Sequence, residues 1–180
     1  MRLFTAIELP EELDEQISGL KKKLDSGDAK ITLTKENHLT LKFLGEVEDS
    51  KADKIKEALD KIRLNSYKAR LSKIGVFPNE DYIRVVWIGV KPEKETIELK
   101  KKIDSALEEF DFKDDFDFHP HITLARVKFV KNKDKFKELL HSLRVEDSEF
   151  EVKEFKLIKS ELTPEGPEYT DLAVFPAKPL

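Results

Sequence analysis

No cysteine occurs in the 180-residue chain. Disulfides, thiolate zinc sites, iron–sulfur clusters and cysteine nucleophiles are excluded together. Long apolar runs are missing too. The longest candidate, residues 83–90, is interrupted by Arg84 and falls far short of the roughly 18 residues that a membrane-spanning helix needs. The opening run 1–8 is too short, and too soon broken by Glu8, for a signal peptide. A soluble, cytoplasmic protein without membrane partners is expected. Thermolabile side chains are scarce: there is one methionine, and Gln16 is the single glutamine. Charged residues reach 39%, nearly all Lys, Glu and Asp in mixed order. That bias resembles heat-adapted proteins, in which surface ion pairs replace labile groups, so a thermophilic source is expected. A surplus of positive charge is also lacking, the net charge being −4. Proteins that coat duplex nucleic acid are strongly basic, so broad charge-driven binding is disfavoured. A small site gripping one phosphate or one strand end needs only a few cations and stays open.

What is present reads as strands alternating with helices. Residues 3–9 form a strand, and Pro10 opens a helix on which Leu13, Ile17, Leu20 and Leu24 recur at helical spacing. Ser26-Gly27-Asp28 stops it. A short strand at 31–33 and a second at 39–44, closed by Gly45, precede a helix marked by Ala52, Ile55, Leu59 and Ile62, with Asp49 or Ser50 as its cap. Strands 68–76 and 83–90 flank a turn at Pro78-Asn79-Glu80-Asp81. Pro92 then starts a helix carrying Ile97, Ile103, Leu107 and Phe110. A Phe-rich loop at 111–118, a strand at 121–126, a helix at 133–143, a strand-like stretch 149–162, a loop 163–167 and a last strand 169–175 complete the chain.

Two short motifs stand out, His38-Leu39-Thr40-Leu41 and His121-Ile122-Thr123-Leu124, placed 83 residues apart, near half the chain length. Each half carries helix, His-x-Thr strand, helix, then strands, the mark of a degenerate duplication. Residues 1–180 are expected to form one bilobal domain of two α/β halves, with a cleft between the related strands. On a strand, His and Thr of each motif share one face while Leu or Ile turns to the core. Imidazole is the side chain whose unperturbed pKa lies near neutrality. Two of them on opposite sides of a phosphate can act as base and acid in one displacement. Thr40 and Thr123 can donate to the non-bridging oxygens as charge develops there. His119, before Pro120, stands at the strand entry, and His141 on the polar face of a helix. A metal bound by His119 and His121, with Asp115 or Asp117, is a competing reading; the intervening proline makes that geometry awkward.

The stretch Asn37-His38-Leu39-Thr40-Leu41-Lys42-Phe43-Leu44-Gly45-Glu46-Val47, together with Phe118-His119-Pro120-His121-Ile122-Thr123-Leu124-Ala125-Arg126, strongly resembles the RNA 2′,3′-cyclic phosphodiesterases, or 2′-5′ RNA ligases, of the two-histidine phosphoesterase superfamily. The opening 2–10, the strand 84–89 and the tail around 160–169 look like that family as well. The resemblance implies an α+β fold with two pseudo-symmetric antiparallel-rich sheets facing a central groove, helices outside. It implies hydrolysis of RNA 2′,3′-cyclic phosphate ends to 2′-phosphates, and the reverse joining of a 5′-hydroxyl in a 2′-5′ linkage, with neither cofactor nor metal. By position, His38 would protonate the departing 3′-oxygen and His121 would activate the nucleophile; the residues alone leave that order open. Thr40, Thr123 and Arg126 would hold phosphate, and Phe43 would stack on the terminal base.

Strict alternation sits badly with part of that assignment. It places Lys42 and Ala125 on the His/Thr face, and Phe43 and Arg126 on the opposite one. Lys42 is therefore a rival phosphate contact, and Arg126 reaches the groove only if its strand bends or bulges near Ala125. Phe4 and Trp87 read as core, and Tyr169 as either a groove wall or sheet packing. A monomer suffices. The competing function is a module that holds nucleotides or RNA ends without turnover; a superfamily member acting on small cyclic phosphates is a third reading. Two retained histidines argue against pure binding, which needs a cation and hydroxyls but no proton donor and acceptor.

Overall fold

In the computed structural model, which describes residues 1–115 and 117–178, apolar periodicity becomes nine strands and four α-helices. Phe116, within the Phe-rich loop, lies outside the described residues. Strand β1 (Arg2–Glu8) is followed by a 3-10 turn (Glu11–Leu13) and α1 (Asp14–Leu24). Extended Pro10 lets its carbonyl accept the Leu13 amide at 3.0 Å, and Gly27, at φ 88°, reverses the chain after α1. Next come β2 (Ala29–Leu33), β3 (His38–Glu46), α2 (Asp49–Asp60), β4 (Tyr67–Asn79) and β5 (Tyr82–Lys91). The second part holds α3 (Glu93–Ala106), β6 (His121–Val130), α4 (Lys133–Ser142), β7 (Glu149–Val152), β8 (Glu154–Thr163) and β9 (Gly166–Pro176).

Several local expectations need correction. Ile62 lies beyond the end of α2, and Leu13 sits in the 3-10 turn before α1. Neither Asp49 nor Ser50 caps α2: Glu48 holds the cap position without a side-chain bond, and Asp49 stands inside the first turn, where its charge faces the helix dipole. The strand at 39–44 does not close at Gly45 but runs to Glu46, with Gly45 at φ 68°. Leu107 and Phe110 lie beyond the end of α3, whose buried face is Thr96, Leu99, Lys100 and Ile103. The stretch 149–162 is not one strand. It breaks at Lys153 because β7 pairs with β4 in one sheet and β8 pairs with β1 in the other.

The first sheet has the order β3-β1-β8-β9 and the second β2-β6-β5-β4-β7, with antiparallel pairing throughout. Neither sheet is built from one half of the chain. β4 crosses to pair with β5, and β8 returns to pair with β1. The same 83-residue offset runs through the pairing: Phe4 faces Ile158 on β8, and Trp87 faces Gly75 on β4. Helix α3 packs against β3 and α1 against β6, so each motif strand is backed by a helix. Among their buried residues, Ile17, Leu20 and Leu24 of α1 and Leu99 and Ile103 of α3 join Leu39, Leu41, Ile122 and Leu124 in one apolar core. Each such fully buried side chain contributes about 1.5–3 kcal/mol. Among the described residues no helix is long and apolar enough to cross a membrane.

Candidate active site

Both motif strands carry a β-bulge at the same place. On β3, Thr5 faces Lys42 and Ala6 faces Thr40, so Leu41 is the extra residue. On β6, Val86 faces Ala125 and Trp87 faces Thr123, so Leu124 is extra. In each strand the bulged residue is the third after the histidine. A bulge reverses the alternation beyond it. Lys42 and Ala125 turn into the interior, and Phe43 and Arg126 turn out to the groove that His38, Thr40, His121 and Thr123 already line. The expected parity is thus corrected. Lys42, expected as a phosphate contact, does not line the groove; it is only 2% exposed and holds Asp104 of α3 at 2.7 Å.

The groove is a cavity of about 670 Å³ between the two sheets. Phe4 lies beneath His38 with ring centroids 5.1 Å apart, and the Tyr169 ring meets His38 edge-on at 5.2 Å. Phe77 meets His121 edge-on at 4.9 Å, and Trp87 lies 5.9 Å from it. Each imidazole therefore sits in an aromatic nest. Phe4 and Trp87 are equivalent under the 83-residue offset; each stands beside its own histidine. Burial disfavours the charged ring, holding His38 down at about 4 despite the upward pull of Glu8, with Lys21 adding to the depression. Burial also lowers His121; the His119 carbonyl opposes this, and the charges of His119 and Arg126 reinforce it.

His121 has a fixed tautomer. Its Nδ1 lies 2.6 Å from the backbone carbonyl of His119, an acceptor only, so Nδ1 carries the proton and Nε2 keeps a free lone pair. His119 itself points its Nε2 to Asp117 at 3.1 Å. Among the described residues no three His, Asp or Glu side chains converge as metal ligands. His141 bonds Glu80 at 2.7 Å, well away from the groove. Arg126 makes no ion pair among the described residues; its charge adds to the burial that lowers His121, and it opposes the burial that raises Tyr169. A free guanidinium thus stands within electrostatic reach of His121 and of Tyr169, the ring that flanks His38. Phe43 is 55% exposed on the opposite wall.

Several groove residues escaped the sequence reading: Arg2, Lys35, Phe77, Phe118, Ser160 and Leu162. Arg2 was not legible as a groove residue, because Phe4, on the same strand parity, reads as core. Phe77 and Ser160 were not legible either, because the strands that carry them reach the groove by the exchange of β4 and β8. The loop before His38 is tied to the other motif. Thr34 donates its hydroxyl to the Thr123 carbonyl at 2.7 Å and its amide to the Leu124 carbonyl at 2.9 Å. Buried Lys21 of α1 in turn donates to the Thr34 carbonyl and to Asn37 Oδ1, both at 2.8 Å.

Two bulged His-x-Thr strands facing one groove between exchanged sheets define, by fold, a two-histidine phosphoesterase. The chain belongs to the 2′-5′ RNA ligase superfamily, whose profile matches residues 9–164. It is 41% identical to the RNA 2′,3′-cyclic phosphodiesterase of Methanocaldococcus jannaschii, over 94% of this chain and 96% of that protein. The Methanothermobacter thermautotrophicus protein of the same name is 39% identical, over 97% and 98% of the two chains. Relatives of this kind come from thermophiles, in keeping with the composition. The crystal structure of E. coli LigT complexed with 3′-AMP superposes with a TM-score of 0.75 at 28% identity, covering 99% of this chain and 98% of that one.

Proposed function

We propose that this chain hydrolyses RNA 2′,3′-cyclic phosphate ends to 2′-phosphates, with His38 and His121 as acid and base. The arrangement that carries this reading is the pair of imidazoles on one cavity, one of them with Nε2 held as a bare lone pair. His121 Nε2 takes a proton from water as the water oxygen attacks phosphorus. The P–O3′ bond breaks, and His38 supplies the proton that makes the 3′-hydroxyl. The 2′-ester bond remains. Thr40, Thr123 and Arg126 donate to the equatorial oxygens, which carry the growing charge. Phe43 offers a face to the terminal base. His38 is neutral in the empty groove at pH 7, so it takes up its proton with the substrate, whose anionic phosphate reverses the local penalty on charge. With a 5′-hydroxyl in place of water, the same proton transfers yield a 2′-5′ linkage. The ring strain of the substrate supplies the driving force, so this scheme calls for no metal and no nucleotide.

The test is an oligonucleotide ending in 2′,3′-cyclic phosphate, offered with chelator present. A 2′-phosphate product is expected, and His38→Ala and His121→Ala should each reduce turnover by about 10²-fold or more. Tight binding without product would establish a binding module instead, and activity lost to chelator would establish a metal site.

A further inference from the structure

The groove does not end at Arg126. On β2, Ala29, Ile31 and Leu33 face the core, while Thr32 lines the groove beside Arg126, its register partner. Lys30 lies two residues further along the same face, about 7 Å beyond Thr32. β6 bulges a second time here. Lys30 faces Phe129 and Ile31 faces Val127, which leaves Lys128 as the extra residue. That bulge brings Phe129 onto the face of Lys30 and Thr32. His121, Thr123, Arg126 and Phe129 therefore form one row along β6.

Phe129 is 51% exposed, whereas its neighbours Val127 and Val130 pack on the core. An exposed phenyl ring beside an exposed lysine gains little from folding. Cations surround it: Lys30 is its register partner, Lys128 precedes it and Arg84 bonds the Lys128 carbonyl. Among the described residues Lys30, Arg84, Arg126 and Lys128 form no ion pair, in a chain of net charge −4. Arg84 donates to the Lys128 carbonyl at 3.2 Å and lies 5.6 Å over the exposed Tyr82 ring. The nearby carboxylates Glu80 and Asp81 are engaged by His141 and Lys137.

We infer that Phe129 and Lys30 form a subsite for the nucleotide that precedes the RNA terminus, the ring stacking on its base and the ammonium meeting its phosphate. The inference rests on the RNA-end reading above. An aromatic face set among unpaired cations, in line with a phosphate site, suits a single strand. An apolar protein surface would leave four cations without partners. The cyclic phosphate is the 3′ end, so all remaining RNA lies 5′ of it and needs a path out of the groove. The row along β6 supplies one.

The experiment compares kcat/KM for a mononucleoside 2′,3′-cyclic phosphate with that for a tetranucleotide bearing the same terminal nucleotide. Wild type should prefer the tetranucleotide, and Phe129→Ala should shrink that preference by about 5- to 50-fold. Lys30→Glu should shrink it too, more at low salt than at high salt. A preference that is absent in wild type, or intact in both variants, overturns the subsite and assigns the patch to another partner such as a protein. Turnover of the mononucleotide by wild type reports separately on the catalytic reading, so the two can fail independently.

Discussion

Thr34, four residues before His38, donates its hydroxyl to the main-chain carbonyl of Thr123, two residues after His121. The loop that leads into one histidine is thus bonded to the strand that carries the other. The mutual position of the two rings is expected to depend in part on this link and on Lys21 behind it.

Thr34→Val keeps the shape and removes the donor. We expect about 1 kcal/mol of lost stability by denaturant titration, together with a fall in kcat that exceeds any change in KM. Lys21→Met leaves the Thr34 carbonyl and Asn37 Oδ1 without their donor, at a cost of about 1–3 kcal/mol. Wild-type turnover in Thr34→Val would show that the strands hold their spacing without this bond.

His38 makes stability depend on pH. Its folded pKa, about 4, lies below the ordinary 6.5. Above pH 6.5 both the folded and the unfolded chain hold it neutral, and its contribution is complete. As the pH falls from 6.5 toward 4, only the unfolded chain takes up the proton, and the contribution is lost. By pH 5 the loss from this group is about 2 kcal/mol. Urea titrations of wild type and His38→Gln at pH 8 and pH 5 should differ in slope with pH, the variant being flatter. Sulfate binding, followed by calorimetry, should tighten as the pH falls from 7.5 to 5.5, because the bound anion favours the protonated ring.

Asp104 neutralises two buried lysines. It bonds Lys42 at 2.7 Å and Lys100 through both oxygens, at 2.9 and 2.7 Å. Asp104→Asn leaves two interior cations without their main counter-charge and should cost about 3 kcal/mol, seen as a lower Tm. Lys42→Met leaves the Asp104–Lys100 pair intact and should cost about 1 kcal/mol or less, with turnover within about twofold of wild type. A large loss of turnover in Lys42→Met, at unchanged Tm, would return Lys42 to the phosphate site.

Gly75 makes room for the wall behind His121. A Cβ there would lie 2.2 Å from the Trp87 ring. Gly75→Ala should displace the indole, lower stability by about 1–3 kcal/mol and reduce kcat through His121. Trp87 is the only tryptophan in the chain, so its fluorescence reports the displacement directly.

Much of the local structure was legible from residue order. Apolar spacing placed α1, α2 and α4, the Asn79 turn closed as expected, and the paired His-x-Thr strands marked the two imidazoles that line the groove. The parity of Lys42, Phe43 and Arg126 was not legible, because nothing in the residue pattern marks Leu41 and Leu124 as bulged. The break at Lys153 was equally hidden: β7 and β8 both alternate in the manner of strands, and only their partners differ.

The sequence by itself determined which groups are available for chemistry: two imidazoles and two hydroxyls on strands, no thiol, and a spacing that repeats after 83 residues. Tertiary structure decided which cation faces the groove and which is buried, and which aromatic rings bury the two histidines. The physical reason is that strand pairing is a contact between distant segments. A one-residue slip in such a ladder turns every later side chain to the other face, and the energy that selects the slip comes from the partner strand, not from the residues that move.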